Sequence, residues 1–225
     1  VMNSERDERS RQSEDPDFTR APAIFPNNDI KYEVNKLRAE IFSAASGQAL
    51  SWCPAKDKPS ARVLNEKPDI TEEKVAWLQR HDRNCGGLYG MLPLAVGMPV
   101  ALADHLDRNP KKNLLRGRVG YIDSWVVADE EQSDFEGGVR ILQHMAKVVL
   151  VQFMEWVENE AGELVYMPCR WTIAGIDRPG VYPNFPCKRA WRLDQRRQNP
   201  VLEVRRTQVP LAPAYAITAH GAQGQ

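Results

Sequence analysis

The residues best placed to do chemistry cluster at the C-terminal end of the chain, where Ala214-Tyr215-Ala216-Ile217-Thr218 runs into Ala219-His220-Gly221-Ala222-Gln223-Gly224. A short β-prone run opening into a polar, glycine-containing loop sets a hydroxyl, an imidazole and a carboxamide at a strand end. Sheets of the α/β kind hold their ligands at such ends, and Thr218, His220 and Gln223 together supply donors and acceptors. A lone histidine at such a junction is more often simply solvated, so it is the whole string that carries weight.

Two basic stretches offer a different chemistry. Arg108, Lys111, Lys112, Arg116 and Arg118 lie in a run with no acid after Arg108, and Lys188 to Arg206 holds seven basic residues around Trp191 against Asp194 and Glu203. Lys and Arg neutralise phosphates and an aromatic stacks on a base, which makes Arg116, Arg118, Lys188 and Arg189 candidate phosphate contacts. The plain alternative for either run is a solvated face.

Two further constellations promise less. Trp125-Val126-Val127-Ala128-Asp129-Glu130-Glu131 imitates the strand and acidic pair that position magnesium and water in nucleotide hydrolases. The GxxxxGK[ST] loop that such a pair serves is absent, so an acidic loop is the better reading. A magnesium-dependent nuclease using Asp129 and Glu130 is the corresponding rival activity. Cys53, His81 and Cys85 fit no regular zinc spacing and lack an evident fourth ligand, so no metal site is expected.

These groups must be positioned by elements legible in the pattern. The 225 residues suffice for one large domain or two small ones, and 30 Lys plus Arg against 30 Asp plus Glu leave no global charge to announce a partner. Residues 1–22 are charged and poor in bulky apolar side chains, so a disordered lead-in is expected there. Ala23-Ile24-Phe25, then Pro26-Asn27-Asn28-Asp29, then Ile30, Val34, Leu37 and Ile41 at helical spacing up to Gly47 predict strand, turn and amphipathic helix. Asn28 is the expected cap and Gly47 the left-handed stop. A second helix is expected after Thr71 through Leu78, ended by Gly86-Gly87. From Leu88 to Val209 short β-prone runs alternate with turn residues, the signature of a small barrel or sandwich, with Gly97, Gly117 and Gly120 expected at turns of a hairpin. Cys53, Cys85, Cys169 and Cys187 form no CxxC pair and read as reduced thiols of an intracellular protein. No apolar run approaches the length of a membrane span, so no membrane partner is expected.

The string Arg206-Thr207-Gln208-Val209-Pro210-Leu211 through Tyr215, Ile217-Thr218, His220 and Gln223-Gly224 resembles the motif V block of superfamily 1 DNA helicases of the RecD-like, petite-integration-frequency type. Leu92 to Leu102 followed by Leu114 to Ile122 is similar to that family's apolar strand and glycine turn, with Arg116 where Asn is usual. Ile24-Phe25-Pro26-Asn27-Asn28 through Asn35 resembles its motif IV. The three blocks stand in the family's order. The departure is Gly221, where the family usually carries Lys, so that lysine's contact has no counterpart here.

The resemblance implies an α/β fold: a partial RecA-like second motor domain begins at residues 23–87, an SH3-like β-barrel insertion with its hairpin occupies 88–203, and 204–225 return to the motor domain. It implies the C-terminal part of an ATP-dependent 5′ to 3′ helicase moving on single-stranded DNA. ATP and Mg2+ would be bound mainly by a preceding half carrying the Walker loops, the arginine finger would follow Gln225, and no catalytic residue would lie in this stretch. Thr218, His220, Gln223 and Gly224 would be its DNA-facing motif V residues; Arg206, Gln208, Pro210 and Leu211 are pattern positions of unassigned role. The family's settings, including repair, recombination and Helitron-like transposons, make nucleus or mitochondrion the expected placement. The rival class is a non-catalytic relic or adaptor that binds DNA or protein.

Overall fold

The computed structural model describes residues 23–26, 28–67, 69–127 and 138–218. Strand β1 (Ala23–Phe25) feeds helix α1 (Asn28–Ser46), which starts at Asn28 itself and stops at Gly47 with φ 66°. The left-handed stop is where the glycine predicts it. The buried face of α1 is not the expected one. Tyr32, Asn35, Ala39 and Ser43 are buried, whereas Ile30, Leu37 and Ile41 are 47–57% exposed. Helical spacing was read correctly, but a small residue and two polar ones won the inner face because the backbone they meet lies close and needs hydrogen bonds.

Two short strands and a helix that the sequence did not announce follow: β2 (Leu50–Pro54), β3 (Lys56–Pro59) and α2 (Ala61–Glu66). The expected second helix is α3 (Thr71–Leu78), succeeded by a 3-10 turn at Asp82–Cys85 and the positive-φ pair Gly86 and Gly87. The β-rich remainder contains β4 (Met91–Leu94), β5 (Pro99–Leu102), β6 (Val119–Val126), β7 (Val139–Ile141), β8 (Val148–Gln152), β9 (Met154–Glu158), β10 (Leu164–Pro168), β11 (Val181–Asn184) and β12 (Cys187–Arg192). The chain then returns as β13 (Glu203–Gln208), β14 (Leu211–Pro213) and β15 (Ala216–Thr218).

These strands make a mixed α/β architecture of several small sheets. An antiparallel five-stranded sheet runs β11-β8-β6-β5-β14, flanked by three-stranded sheets β12-β13-β3 and β4-β2-β7, a β9-β10 hairpin, and the parallel pair β1-β15. Pairing crosses both expected divisions of the chain: β2 pairs with β4 and β14 with β5. Gly97 and Gly117 take positive φ, as a turn requires, but Gly120 does not. It sits within β6, where a Cβ would stand 2.6 Å from Val151 Cγ1 and 2.8 Å from the Gln152 carbonyl. Its role is close approach of β6 to β8 rather than the expected turn.

The buried apolar residues fall into two clusters. The larger joins α1, β2, β4, β5, β6, β8 and β14 through residues such as Ala39, Leu50, Leu92, Val100, Ile122, Val151 and Leu211. The smaller gathers Val63, Ile70, Trp77, Cys85, Trp191, Leu202 and Val204. Between them lies Arg206, wholly buried on β13. Its Nε and Nη2 donate to the Asp57 carboxylate at 2.9 and 2.7 Å, Nη2 also to the Trp77 carbonyl at 2.7 Å, and Nη1 to the Leu88 carbonyl at 3.2 Å. Burial alone would lower the guanidinium's pKa, but the hydrogen bonds to Asp57 outweigh it and hold the value above normal.

Breaking one side of this pair leaves a buried charge unmatched, so Asp57→Ala is expected to destabilise the chain by about 3–5 kcal/mol. Urea unfolding of Asp57→Ala beside the double variant Asp57→Leu/Arg206→Met measures this. The double variant is expected to recover most of the loss, and a single variant as stable as the parent would contradict the assignment.

Candidate nucleic-acid interface

β15 lies parallel to β1 in the register Ala23 to Ala216, Ile24 to Ile217 and Phe25 to Thr218, so both strands point their C-terminal ends the same way. The Ala23 amide adds a bond to the Tyr215 carbonyl at 2.9 Å. Because β1 leads directly into α1, the start of that helix and the end of β15 share one edge, the place where parallel sheets put ligands. Asn35, buried on α1, fixes that edge. Its Oδ1 accepts from the Ala216 amide at 2.8 Å and its Nδ2 donates to the Ala216 carbonyl at 3.1 Å, so the carboxamide stands in for a neighbouring strand. Thr218 ends β15 opposite Phe25; His220, Gly221, Gln223 and Gly224 lie outside the described residues, as do Asp129 and Glu130.

The residues just upstream hold this edge in place. Gln208, buried, donates through Nε2 to the Cys53 carbonyl at 3.0 Å and accepts at Oε1 from the Val209 amide at 2.9 Å. The Pro210 carbonyl accepts from the Ala103 amide at 2.8 Å, and buried Leu211 pairs with Leu102. With Arg206 on Asp57, all four pattern positions are accounted for as scaffold contacts.

The four candidate phosphate contacts separate. Arg118 is engaged internally: Nη1 donates to the Lys112 and Asn113 carbonyls at 2.7 and 3.1 Å, and Nη2 reaches Cys169 Sγ at 3.2 Å. Arg189 is ion-paired with Asp104, which raises its pKa and ties β12 to the 103–118 loop. Lys112 is also occupied, by Asp107 at 2.8 Å; their hydrogen bond raises the lysine's pKa and lowers the carboxylate's. Arg116 and Lys188 are exposed, with Arg108 and Lys111 on the same loop as Arg116, and none of these four is ion-paired among the described residues.

A cluster that sequence reasoning passed over sits beside the first turns of α1. The Tyr32 ring stacks on His81 at 4.6 Å and on Tyr89 at 5.0 Å, with Lys36 Nζ 4.4 Å above it. Burial pushes the Tyr32 and Tyr89 phenols well above their usual value and the Cys85 thiol up to about 11. Asn35 and Asp57 were missed as well. Their signal is a polar residue on the inward side of an element, visible only once that side is known. Cys53, His81 and Cys85 do not converge: Cys53 belongs to the larger core and Cys85 to the smaller. None of the four cysteines forms a disulfide, and among the described residues no three His, Cys, Asp or Glu side chains gather as metal ligands. No described helix is long and apolar enough to cross a membrane.

Compared with solved structures, the chain is similar over 93% of its length to the Pif1 helicase from Candida albicans, at 16% identity and a TM-score of 0.44. It is similar over 92% to unliganded Pif1 from Bacteroides sp, at 14% and 0.39, and over 90% to Bacteroides Pif1 bound to ssDNA, at 15% and 0.40. The chain spans 41%, 44% and 32% of those three chains respectively. No protein-family model and no curated protein matches it. These neighbours are helicases of the type the motif strings resemble.

If Asn35 is what holds β15, Asn35→Ala removes a donor and an acceptor from a buried backbone, a loss of about 1–3 kcal/mol. Amide hydrogen exchange is expected to speed up at Ala216 and stay unchanged at Val151. Equal protection at Ala216 in both proteins would show that β15 is held by other means.

Proposed function

We propose that this chain is the C-terminal part of an ATP-dependent DNA helicase that moves 5′ to 3′ on single-stranded DNA and unwinds duplex. The observation that carries the reading is the junction of sequence and geometry at β13 to β15. A string matching motif V at nearly every defining place folds, as far as Thr218, into paired strands that end at the C-terminal edge of a parallel strand pair. In this reading β1, α1 and β15 belong to a RecA-like second motor domain, and the β-rich region between residues 88 and 203 is its SH3-like insertion. His220, Gln223 and Gly224 join the DNA and nucleotide sites, with Thr218 on the DNA.

The sequence has no GxxxxGK[ST] loop, and among the described residues no carboxylates gather as a metal cluster. ATP and Mg2+ would be held mainly by the other motor domain of the parent protein, and this stretch alone would not hydrolyse ATP. Its own residues bind strand and transmit position. Nuclear or mitochondrial placement, in repair, recombination or a transposon, follows from the same reading.

Gly221 at the family's lysine position favours one alternative, a relic or adaptor that binds DNA or protein without a motor. Turnover in the parent protein separates the two. Under the helicase reading the parent hydrolyses ATP when single-stranded DNA is added, and His220→Ala lowers kcat by about tenfold or more with ATP affinity kept, the pattern of a group acting in the coupled step. A parent that binds DNA but never turns over ATP is the adaptor. For the chain itself, affinity for oligothymidylate is expected to fall with salt. Arg116→Ala/Lys188→Ala should shallow the slope of log K against log salt by about 1.4, two phosphate contacts on a single strand.

A further inference from the structure

A cavity of about 520 Å³ opens between α1, β5, β6, the β9-β10 hairpin and the β14-β15 junction, lined among others by Arg38, Phe42, Tyr121, Met154, Tyr166 and Tyr215. It lies near the middle of α1, roughly 15 Å along the helix from the edge where Thr218 ends β15, at about 1.5 Å per residue between Asn28 and Arg38. Its lining includes Tyr215 of the motif V string, but it opens at the end of β15 away from Thr218.

Four of those six side chains are aromatic rings, and among the described residues Arg38 is the one charged residue lining the cavity. A cationic ligand would meet repulsion there; a flat, electron-rich ligand tied to an anion would meet stacking surfaces and a counter-charge. The polar atoms point the same way. Burial, with the Tyr121 phenol nearby, pushes the Tyr166 phenol up to about 12. Tyr215 Oη is buried with no hydrogen-bond partner among the described residues, and its pKa is raised by that burial. An apolar peptide side chain would leave the Tyr215 hydroxyl unmatched, whereas a heterocycle brings ring nitrogens and carbonyls.

The aromatic surface continues out of the cavity. Trp156 lies directly opposite Tyr166 across the hairpin, their ring centroids 4.9 Å apart, and it is 63% exposed. Alternation along β9 puts Met154 on the same face as Trp156. Glu158, Glu160 and Glu163 at the hairpin tip repel phosphates, which bounds the track to the stretch between Arg38 and Trp156.

We propose that this cavity takes a nucleobase of a single strand, stacked among Tyr121, Tyr166 and Tyr215 with Arg38 on the adjoining phosphate, while Trp156 stacks on a neighbouring base. The inference rests on the single-strand reading above and adds to it a second site of contact. Base-aromatic stacking is worth about 1–3 kcal/mol per base, so losing one platform weakens binding by about tenfold.

The test is binding of labelled oligothymidylate to the whole chain, with melting temperature as the folding control. Tyr166→Ala is expected to weaken binding about tenfold at an unchanged salt slope, with Tyr166→Phe retaining most of it. Arg116→Ala/Lys188→Ala changes the slope instead. If Tyr166→Ala unfolds, exposed Trp156→Ala replaces it, with the same loss expected. Oligothymidylate binding that is indifferent to Tyr166 and Trp156 overturns the cavity proposal and leaves the helicase reading standing. No strand binding by the unsubstituted chain overturns both. A tryptophan-bearing peptide that binds through the same tyrosines where oligothymidylate does not makes the cavity a protein-docking site and overturns the proposal.

Discussion

A guanidinium with no exposed surface sits at the centre of this molecule, and the rest of the architecture depends on its being matched. Arg206 has five donors, and four of them reach the Asp57 carboxylate and the Trp77 and Leu88 carbonyls. Each acceptor belongs to a different segment: Asp57 to β3, Trp77 to α3, and Leu88 to the approach to β4. One side chain on β13 thereby holds the smaller cluster against the larger. An apolar residue of similar volume would fill the same space, but it would not fix the directions from which three backbone segments arrive.

Two residues along the same strand, Gln208 repeats the device toward β2, satisfying the Cys53 carbonyl and the Val209 amide. The period of a strand puts both side chains on one face. The Arg-x-Gln pattern, of unassigned role in the sequence, is thus an inward-facing polar ladder. The basic stretches divide by the same logic. Arg118 and Arg189 meet carbonyls, a thiol and a carboxylate, while Arg116 and Lys188 meet solvent. A run of positive residues in one dimension is a mixture of scaffold and surface in three.

What was legible in the sequence was local. The β1 to α1 unit, its glycine stop, α3 and strands β5, β6, β8 and β10 follow from spacing and turn residues acting over a few positions, whereas β7, β9, β11 and β12 do not. What was not legible depends on which surfaces meet. The exposure of Ile30, Leu37 and Ile41 and the burial of Asn35 invert the apolar rule on α1, because the carboxamide of Asn35 is needed by the Ala216 backbone, 181 residues away. Strand β3 went unread because Asp57 and Lys58 hide the alternation, and Asp57 is inward only by virtue of Arg206. The candidate interface was likewise half legible: its loop was visible as a motif, while the residues that place it were not.

The constraint on that loop falls off along the chain. β13 is paired on both sides, β14 is the edge of a five-stranded sheet, and β15 among the described residues has β1 on one side and a single carboxamide on the other. A force applied at Thr218 is met first by its pairing with Phe25 of β1 and then, at Ala216, by Asn35 of α1, a helix of nineteen residues that passes the force on as a nearly rigid rod. Further along the rod, Phe42 packs against Tyr215 at 6.1 Å and forms part of the wall of the aromatic cavity. Asn35 and Phe42 therefore hold the same short strand from α1, one through the Ala216 backbone and one through the ring that precedes it. Because Tyr215 and α1 both line the cavity, a displacement of β15 that carries either of them with it changes the cavity's shape.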